Sequence, residues 1–384
     1  MGIPEPRKAE RVTGMRSHAF FCFDILIILQ EVGRVINIFN MKKFLILYLL
    51  TLLPFVGLRA TSITDSVYVY DAGNPIHNLK KDNLRILDIG NSYTVDATNY
   101  LPKICKAAGV VTGYSLYTAV RGSSTFKSWV DCYNDIDKAK NTISLCVGDT
   151  IAEVATGTAE AGDGSLFRNA LTNGKWDLIL IHQVSTYATN YDAWSAKRDA
   201  GYLKELIQII REANPQATIG FYLIHSYRSD YKNNTEKSSL ERWRNIATAV
   251  KELRLNYGID FVIPYGTAVQ NLRATSLCDT NEFSTDGTHL ATGLGDYVAA
   301  CCYWETVFAP RTGISILGNT YRTSYLDETV AGVKNITDET ALVAQKAAVL
   351  STINKYQVLD VDSFDHYLSR SAEYVYQGNN LIGY

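Results

Sequence analysis

The stretch RILDIGNSYT (85–94) decides how this chain folds. RILDIG (85–90) is a short apolar run that ends on a glycine. Beyond it, ATNYLPKICKAAG (97–109) carries apolar residues at helical spacing and stops at a second glycine. A strand thus runs through a tight turn, with Ser92 inside it, into the first helix.

The same alternation continues downstream. YSLYTAV (114–120), WDLILIHQ (176–183), ATIGFYLIH (217–225) and IDFVIP (259–264) are expected strands, with WDLILIHQ and ATIGFYLIH apolar enough to be covered on both faces. Helical spacing marks 124–136, 166–174, 195–215, 238–258 and 290–308 between and after them. Five strands with intervening helices predict a three-layer α/β/α domain around a five-stranded, parallel, doubly wound sheet. That domain spans 84–309. Residues 63–83 are expected to form an N-terminal arm. Residues 310–384 are expected to hold two helices (about 326–334 and 337–356) and a polar tail, as a cap or an appendage. Residues 137–165 receive no element.

The chain has 384 residues, of which 47% are hydrophobic and 20% charged. That balance excludes a disordered chain, a collagen and a coiled coil. A net charge of −2 gives no footing for nucleic acid. The charge is uneven: residues 1–60 hold eight Lys/Arg against four Asp/Glu, and the remainder is acidic. Within the basic end, Met41-Lys42-Lys43, then FLILYLLTLLPFVGL (44–58), then Ala60-Thr61-Ser62 have the pattern of a secretory signal peptide at 41–62. Residues 1–40 are then a mis-set upstream extension. The alternative is a membrane hairpin of 19–29 and 44–58, which Asp24 interrupts. A secreted or periplasmic protein with no stable membrane anchor after cleavage is expected, and its oligomeric state is open. The six cysteines beyond the leader are free to pair in an oxidising compartment. They show no metal-ligand spacing, so no metal and no organic cofactor is expected.

In doubly wound sheets ligands bind beyond the carboxyl ends of the strands. Ser92 lies there, as a nucleophile or as a helix N-cap. No G-x-S-x-G elbow, dinucleotide fingerprint or P-loop surrounds it. Asp286-Gly287-Thr288-His289 precedes the last long helix of the domain. Its D-x-x-H spacing lets the carboxylate reach the imidazole and leaves the other ring nitrogen for a proton, unless the segment is a plain exposed loop. Gly122 follows the second strand, as an oxyanion donor or as a turn glycine. His225, at the tip of the fourth strand, either touches substrate or bonds a backbone carbonyl. His182 adjoins a buried run and suits a structural role. Cys301-Cys302 suits core packing. Asn91 and Tyr187 are candidate substrate contacts. The segments YATNYDAW (187–194) and HSYRSDYKNN (225–234), with 25 tyrosines in the chain, suit sugars better than an apolar groove.

Together these residues resemble the SGNH/GDSL hydrolase superfamily over about 84–308. Its strand–G-D-S block matches ILDIGNS (86–92), with Asn91 in place of Asp. Its second-block glycine matches Gly122 in AVRGSSTF (119–126), and its D-x-x-H matches Asp286 and His289. The third block departs: WDLILIHQVSTYA (176–188) lacks the usual G-x-N-D, and Gln183 is the best substitute donor, with Ser185 or His182 next. A G-N-S block combined with that Gln is similar to a branch described as a domain of unknown function. The resemblance implies a flavodoxin-like sheet and a serine esterase. In it Ser92 attacks, His289 acts as base and Asp286 orients it. The N–H groups of Ser92 and Gly122, with Gln183, hold the oxyanion. Acyl esters of small molecules or polysaccharides, acetyl esters of carbohydrate first among them, are the implied substrates. A lipase or thioesterase of the same fold, and a non-catalytic glycan-binding protein, are the alternatives.

Overall fold

The computed structural model describes residues 75–79, 83–134, 136, 141–147, 150–157, 166–188, 200–231 and 237–368. The expected extension 1–40, the signal peptide 41–62 and most of the arm 63–83 lie outside the described residues, as does the end of the tail. Among the described residues no helix is long and apolar enough to cross a membrane.

Strands β1 (Leu84–Gly90), β2 (Tyr114–Val120), β3 (Asn141–Val147), β4 (Thr150–Gly157), β5 (Leu178–Ile181), β6 (Thr218–Tyr222) and β7 (Phe261–Ile263) form one sheet in the order β4-β3-β2-β1-β5-β6-β7. The five expected strands are the parallel ones, with β1 between β2 and β5. The expected five-stranded sheet is nevertheless too small: β3 and β4 add an antiparallel hairpin at the β2 edge. A hairpin needs no crossover helix, so a search for strand–helix alternation passes over it. Its sequence signal is the Gly148-Asp149 pair between two β-rich runs.

β1 is central because helices cover both its faces. All its residues but Arg85 are buried, and the four residues of β5 are buried throughout. Each such Leu or Ile contributes about 1.5–3 kcal/mol on leaving water. The helices are α1 (Ser92–Thr98), α2 (Leu101–Ala107), α3 (Phe126–Tyr133), α4 (Leu166–Asn173), α5 (Ala200–Ala213), α6 (Ser239–Asn256), α7 (Tyr265–Arg273), α8 (Leu294–Tyr303) and α9 (Asp338–Ile353). α8 packs against α1, α2, α7 and α9, while α3, α4 and α5 pack with one another on the opposite layer.

Two helical expectations change. The first helix begins at Ser92 rather than 97 and breaks before α2, where Pro102 restarts the helix without an N–H to give back to α1. The segment 326–334 forms turns and bridges, with Gly332 at φ +76°, instead of a helix. α9 does form, and it completes the layer beside α7 and α8. Gln345 Nε2 donates to Tyr297 Oη (2.8 Å) and Asn319 O (2.9 Å), and Asn271 Nδ2 donates to Ala347 O (3.1 Å). Cys301 and Cys302 are buried thiols of α8, and Cys278 is also outside any disulfide.

Asp88 sits in the middle of β1, fully buried. The Tyr222 hydroxyl donates to its Oδ2 (2.7 Å) and the Tyr303 hydroxyl to its Oδ1 (3.3 Å). Burial pushes the carboxyl up to about 8, against the two hydroxyl bonds, which favour the charge. An unfolded Asp ionises near 4, so the native state keeps a proton that the unfolded state has lost. Asp88 therefore contributes stability that is complete at low pH and is lost as pH rises through about 8.

Two outcomes test this packing. Asp88→Asn keeps the polar contacts without the titration. Urea denaturation at pH 5 and pH 8 should show wild type losing at least about 1 kcal/mol more than the variant between the two, and parallel losses would refute the assignment. At Gly90 an added Cβ would overlap His182 Nε2 and Thr94 Oγ1. Gly90→Ala should therefore lower unfolding free energy by about 2 kcal/mol or more in the same assay.

Candidate active site

The turn after β1 is held from three sides. Asn91 caps α1: its Oδ1 accepts from Tyr93 N–H (3.0 Å), and its Nδ2 donates to Ser124 O (3.4 Å). His182, at the end of β5, accepts at Nε2 from Asn91 N–H (3.3 Å) and from the Thr94 hydroxyl (2.9 Å), while its Nδ1 donates to Gln183 O (3.0 Å). Burial pushes His182 down to about 4, outweighing that backbone bond, so the ring is neutral, as two accepted bonds at Nε2 require. Ser92 follows Asn91 and is half-buried.

The Asp286–His289 loop meets Ser92 from the other side. Ser92 Oγ and His289 Nε2 lie 2.8 Å apart, and His289 Nδ1 and Asp286 Oδ2 lie 2.7 Å apart. A carboxylate only accepts, so Nδ1 carries the proton and Nε2 is the acceptor facing Ser92. Asp286 Oδ1 also accepts from Thr288 N–H, the Thr288 hydroxyl and His289 N–H, each at 2.8 Å. Partial burial works against the charge on Asp286, but these bonds outweigh it and hold the carboxyl well below the usual carboxylate range. Ser284 Oγ donates to His289 O (2.6 Å), and Asp96 Oδ2 accepts from Leu290 N–H (3.0 Å). His289 and Asp286 are 42% and 52% exposed, so the line of three opens to solvent.

The other candidates divide. Gly122 is exposed in the turn after β2, where a Cβ would meet open space. That turn is tied to the Ser92 turn: Arg121 N–H and the Ser124 hydroxyl both donate to Gly90 O (3.0 and 3.1 Å). Gln183 is buried, and its Oε1 accepts from Val184 N–H (2.8 Å), which fixes the orientation of its amide. Two expected substrate contacts are corrected. Asn91 is buried and occupied as the cap of α1. His225 is 1% exposed, and its Nε2 donates to Thr288 O (2.7 Å), the backbone-carbonyl alternative. Burial first, and the nearby Arg273 charge next, push His225 down to about 3. Tyr187 lies in a single helical turn, Ser185–Ala188, and its side chain is outside the described residues.

Three tyrosines contribute that no catalytic motif singles out. Tyr93 donates from its hydroxyl to Thr288 O (2.6 Å). Tyr227 donates to Ser185 Oγ (2.9 Å) and lies 4.5 Å, ring to ring, from Tyr231. Tyr231 in turn stands against Gly287, 3.0 Å from where a Cβ would be. Tyr227 and Tyr231 belong to the polar, aromatic segment HSYRSDYKNN (225–234), whereas no pattern marks Tyr93. Among the described residues no group of three His, Cys, Asp or Glu side chains is placed to hold a metal ion.

No curated protein matches the chain. A crystal structure of a DUF4886 family protein from Bacteroides uniformis is similar at 24% identity, with a TM-score of 0.59 over 73% of this chain and 99% of that one. A candidate GDSL-like lipase from Parabacteroides merdae aligns at 12% identity and a TM-score of 0.38, over 60% and 98% of the two chains. A peptidoglycan O-acetylesterase aligns at 12% identity and 0.31, over 61% and 91%. The family model described as "Domain of unknown function (DUF4886)" matches residues 85–344, from β1 through the Asp286–His289 loop into α9, and the chain therefore belongs to the DUF4886 family.

Proposed function

We propose that this protein is a secreted serine esterase of the SGNH type that removes acyl groups, acetyl above all, from carbohydrate. The observation that carries the proposal is the line Ser92–His289–Asp286, with contacts of 2.8 and 2.7 Å, opening to solvent beyond the ends of the parallel strands.

In this mechanism Ser92 Oγ attacks the ester carbonyl and His289 Nε2 takes its proton. Asp286 holds the Nδ1–H tautomer and stabilises the imidazolium. The oxyanion sits against the backbone N–H groups of Ser92 and Gly122, with Gln183 as the side-chain donor, each such donor being worth about 3 kcal/mol in the barrier. His289 returns the proton to the departing sugar hydroxyl. Water, deprotonated by the same ring, then attacks the acyl-enzyme and releases the acid. No step needs a metal or an organic cofactor.

The carbohydrate assignment rests on Tyr231, a partly exposed ring that packs on buried Tyr227 and stands against Gly287 of the Asp286–His289 loop. A flat aromatic face with a hydroxyl at its edge suits a sugar ring, which presents C–H groups on one side and hydroxyls around its rim. Secretion rests on the leader at 41–62.

Purified protein should release 4-nitrophenol from 4-nitrophenyl acetate. Ser92→Ala should abolish turnover, and Asp286→Asn, which no longer enforces the tautomer, should cost about 10⁴-fold in kcat. An active Ser92→Ala variant would end the proposal. For the substrate class, Tyr231→Ala should raise KM for an acetylated sugar about fivefold while leaving KM for the aryl acetate unchanged. Equal effects on both substrates would detach Tyr231 from sugar binding.

A further inference from the structure

We infer that Tyr93 is a positioning residue, which with His225 grips the backbone carbonyl of Thr288 and so sets His289 on Ser92. The inference deepens the esterase proposal and rests on it for its kinetic measurement alone.

The bonds within the Asp286–His289 turn leave one group unexplained. Asp286 Oδ1 gathers the N–H groups of Thr288 and His289, and Gly287 turns the chain at φ +85°. The Thr288 carbonyl then points away from the turn, into the protein. Two donors meet it there: the Tyr93 hydroxyl at 2.6 Å and His225 Nε2 at 2.7 Å. A carbonyl oxygen has two lone pairs, and both are taken. The donors are also fixed relative to each other. Their rings stack with centroids 4.3 Å apart and 18° between planes, and they are 2% and 1% exposed. Neither ring can swing aside without opening the core.

Chain adjacency turns this grip into a ruler. Tyr93 is bonded to Ser92, and Thr288 is bonded to His289. One hydrogen bond between Tyr93 and Thr288 therefore constrains the distance between Ser92 and His289. The Tyr93 ring also meets the His289 ring edge-on at 5.8 Å. Ser284 holds His289 O, and Asp96, four residues along α1 from Ser92, holds Leu290 N–H beyond His289. Beside the direct Ser92–His289 contact, Tyr93 links the residue next to the nucleophile to the residue next to the base through one hydrogen bond. A shift of a few tenths of an ångström in that path lengthens the Ser92–His289 contact, and catalysis is sensitive to displacements of this kind.

The test is Tyr93→Phe in the full chain. The ring and its stack on His225 remain, and only the hydroxyl is lost. The melting temperature should fall by a few degrees at most. In wild type at neutral pH, proton NMR should show a His289 Nδ1 proton shielded from exchange by Asp286; in the variant that proton should exchange at least about fivefold faster. With aryl acetate, well below the melting temperature, kcat should fall about tenfold with KM unchanged. A merely structural tyrosine would move the melting temperature and leave both other readouts in place, and that result would overturn the inference. Should Tyr93→Phe fail to fold, His225→Gln removes the second donor and is measured in the same way. If wild type hydrolyses no ester, the esterase proposal falls while the proton exchange rate still decides the role of Tyr93.

Discussion

How closely the end of β1 approaches the end of β5 governs everything around Ser92. His182 occupies the space that a side chain at position 90 would need. From there its Nε2 accepts both the Asn91 N–H and the Thr94 hydroxyl. These are the two residues on either side of the Ser92-Tyr93 pair. A buried, neutral imidazole thus fixes the start of α1, and α1 fixes the direction of Ser92. The glycine is required by contact with a neighbouring strand rather than by an unusual backbone angle.

A second constraint lies beneath the site. Asp88, Asp96, Asp296 and Glu305 are all buried, and burial raises the pKa of each. Buried carboxyls are tolerable where they are hydrogen-bonded. Asp88 is met by Tyr222 and Tyr303, Asp96 by Leu290 N–H, Asp296 by Asn99 and Glu305 by Ser315 and Ile316 N–H. This changes what the 25 tyrosines mean. Tyr93, Tyr222, Tyr265, Tyr297 and Tyr303 are fully buried. Part of the tyrosine content thus lines the core, where Tyr93 donates to Thr288 O and Tyr222 and Tyr303 donate to Asp88, so composition alone is a poor guide to a sugar-binding surface.

Legibility followed the range of the interaction. β5 and β6 are readable because a strand covered on both faces is apolar along its length, and β2 because its β-branched and aromatic residues alternate. The β3–β4 hairpin is hard to read because its two strands pair with each other and belong to no β–α–β rhythm. The stretch 326–334 looked helical by its spacing, but Gly332 turns against Ser284 and a bridge forms between Gly293 and Lys334. Local spacing says nothing about such partners.

At the candidate site the same division holds. A serine at a strand-to-helix turn and a D-x-x-H before the last long helix of the domain are local patterns, and Ser92, Asp286 and His289 were legible as those patterns. Whether Gly122 and Gln183 face the same point depends on how two further strand ends sit beside the first. For His225 the sequence leaves a backbone carbonyl as one of two alternatives without saying which carbonyl, and it assigns no part to Tyr93 or Thr288. A tyrosine after a serine, or a histidine at a strand tip, has no distinguishing pattern until a residue 195 or 63 positions away arrives with a backbone carbonyl to be held. Sequence by itself determined the alternating elements and the order of the reactive groups, because these follow from side-chain period and type. Only the tertiary structure decided which histidine faces Ser92 and which are walled in as neutral supports, because burial and partner distance set a side chain's proton and its reach.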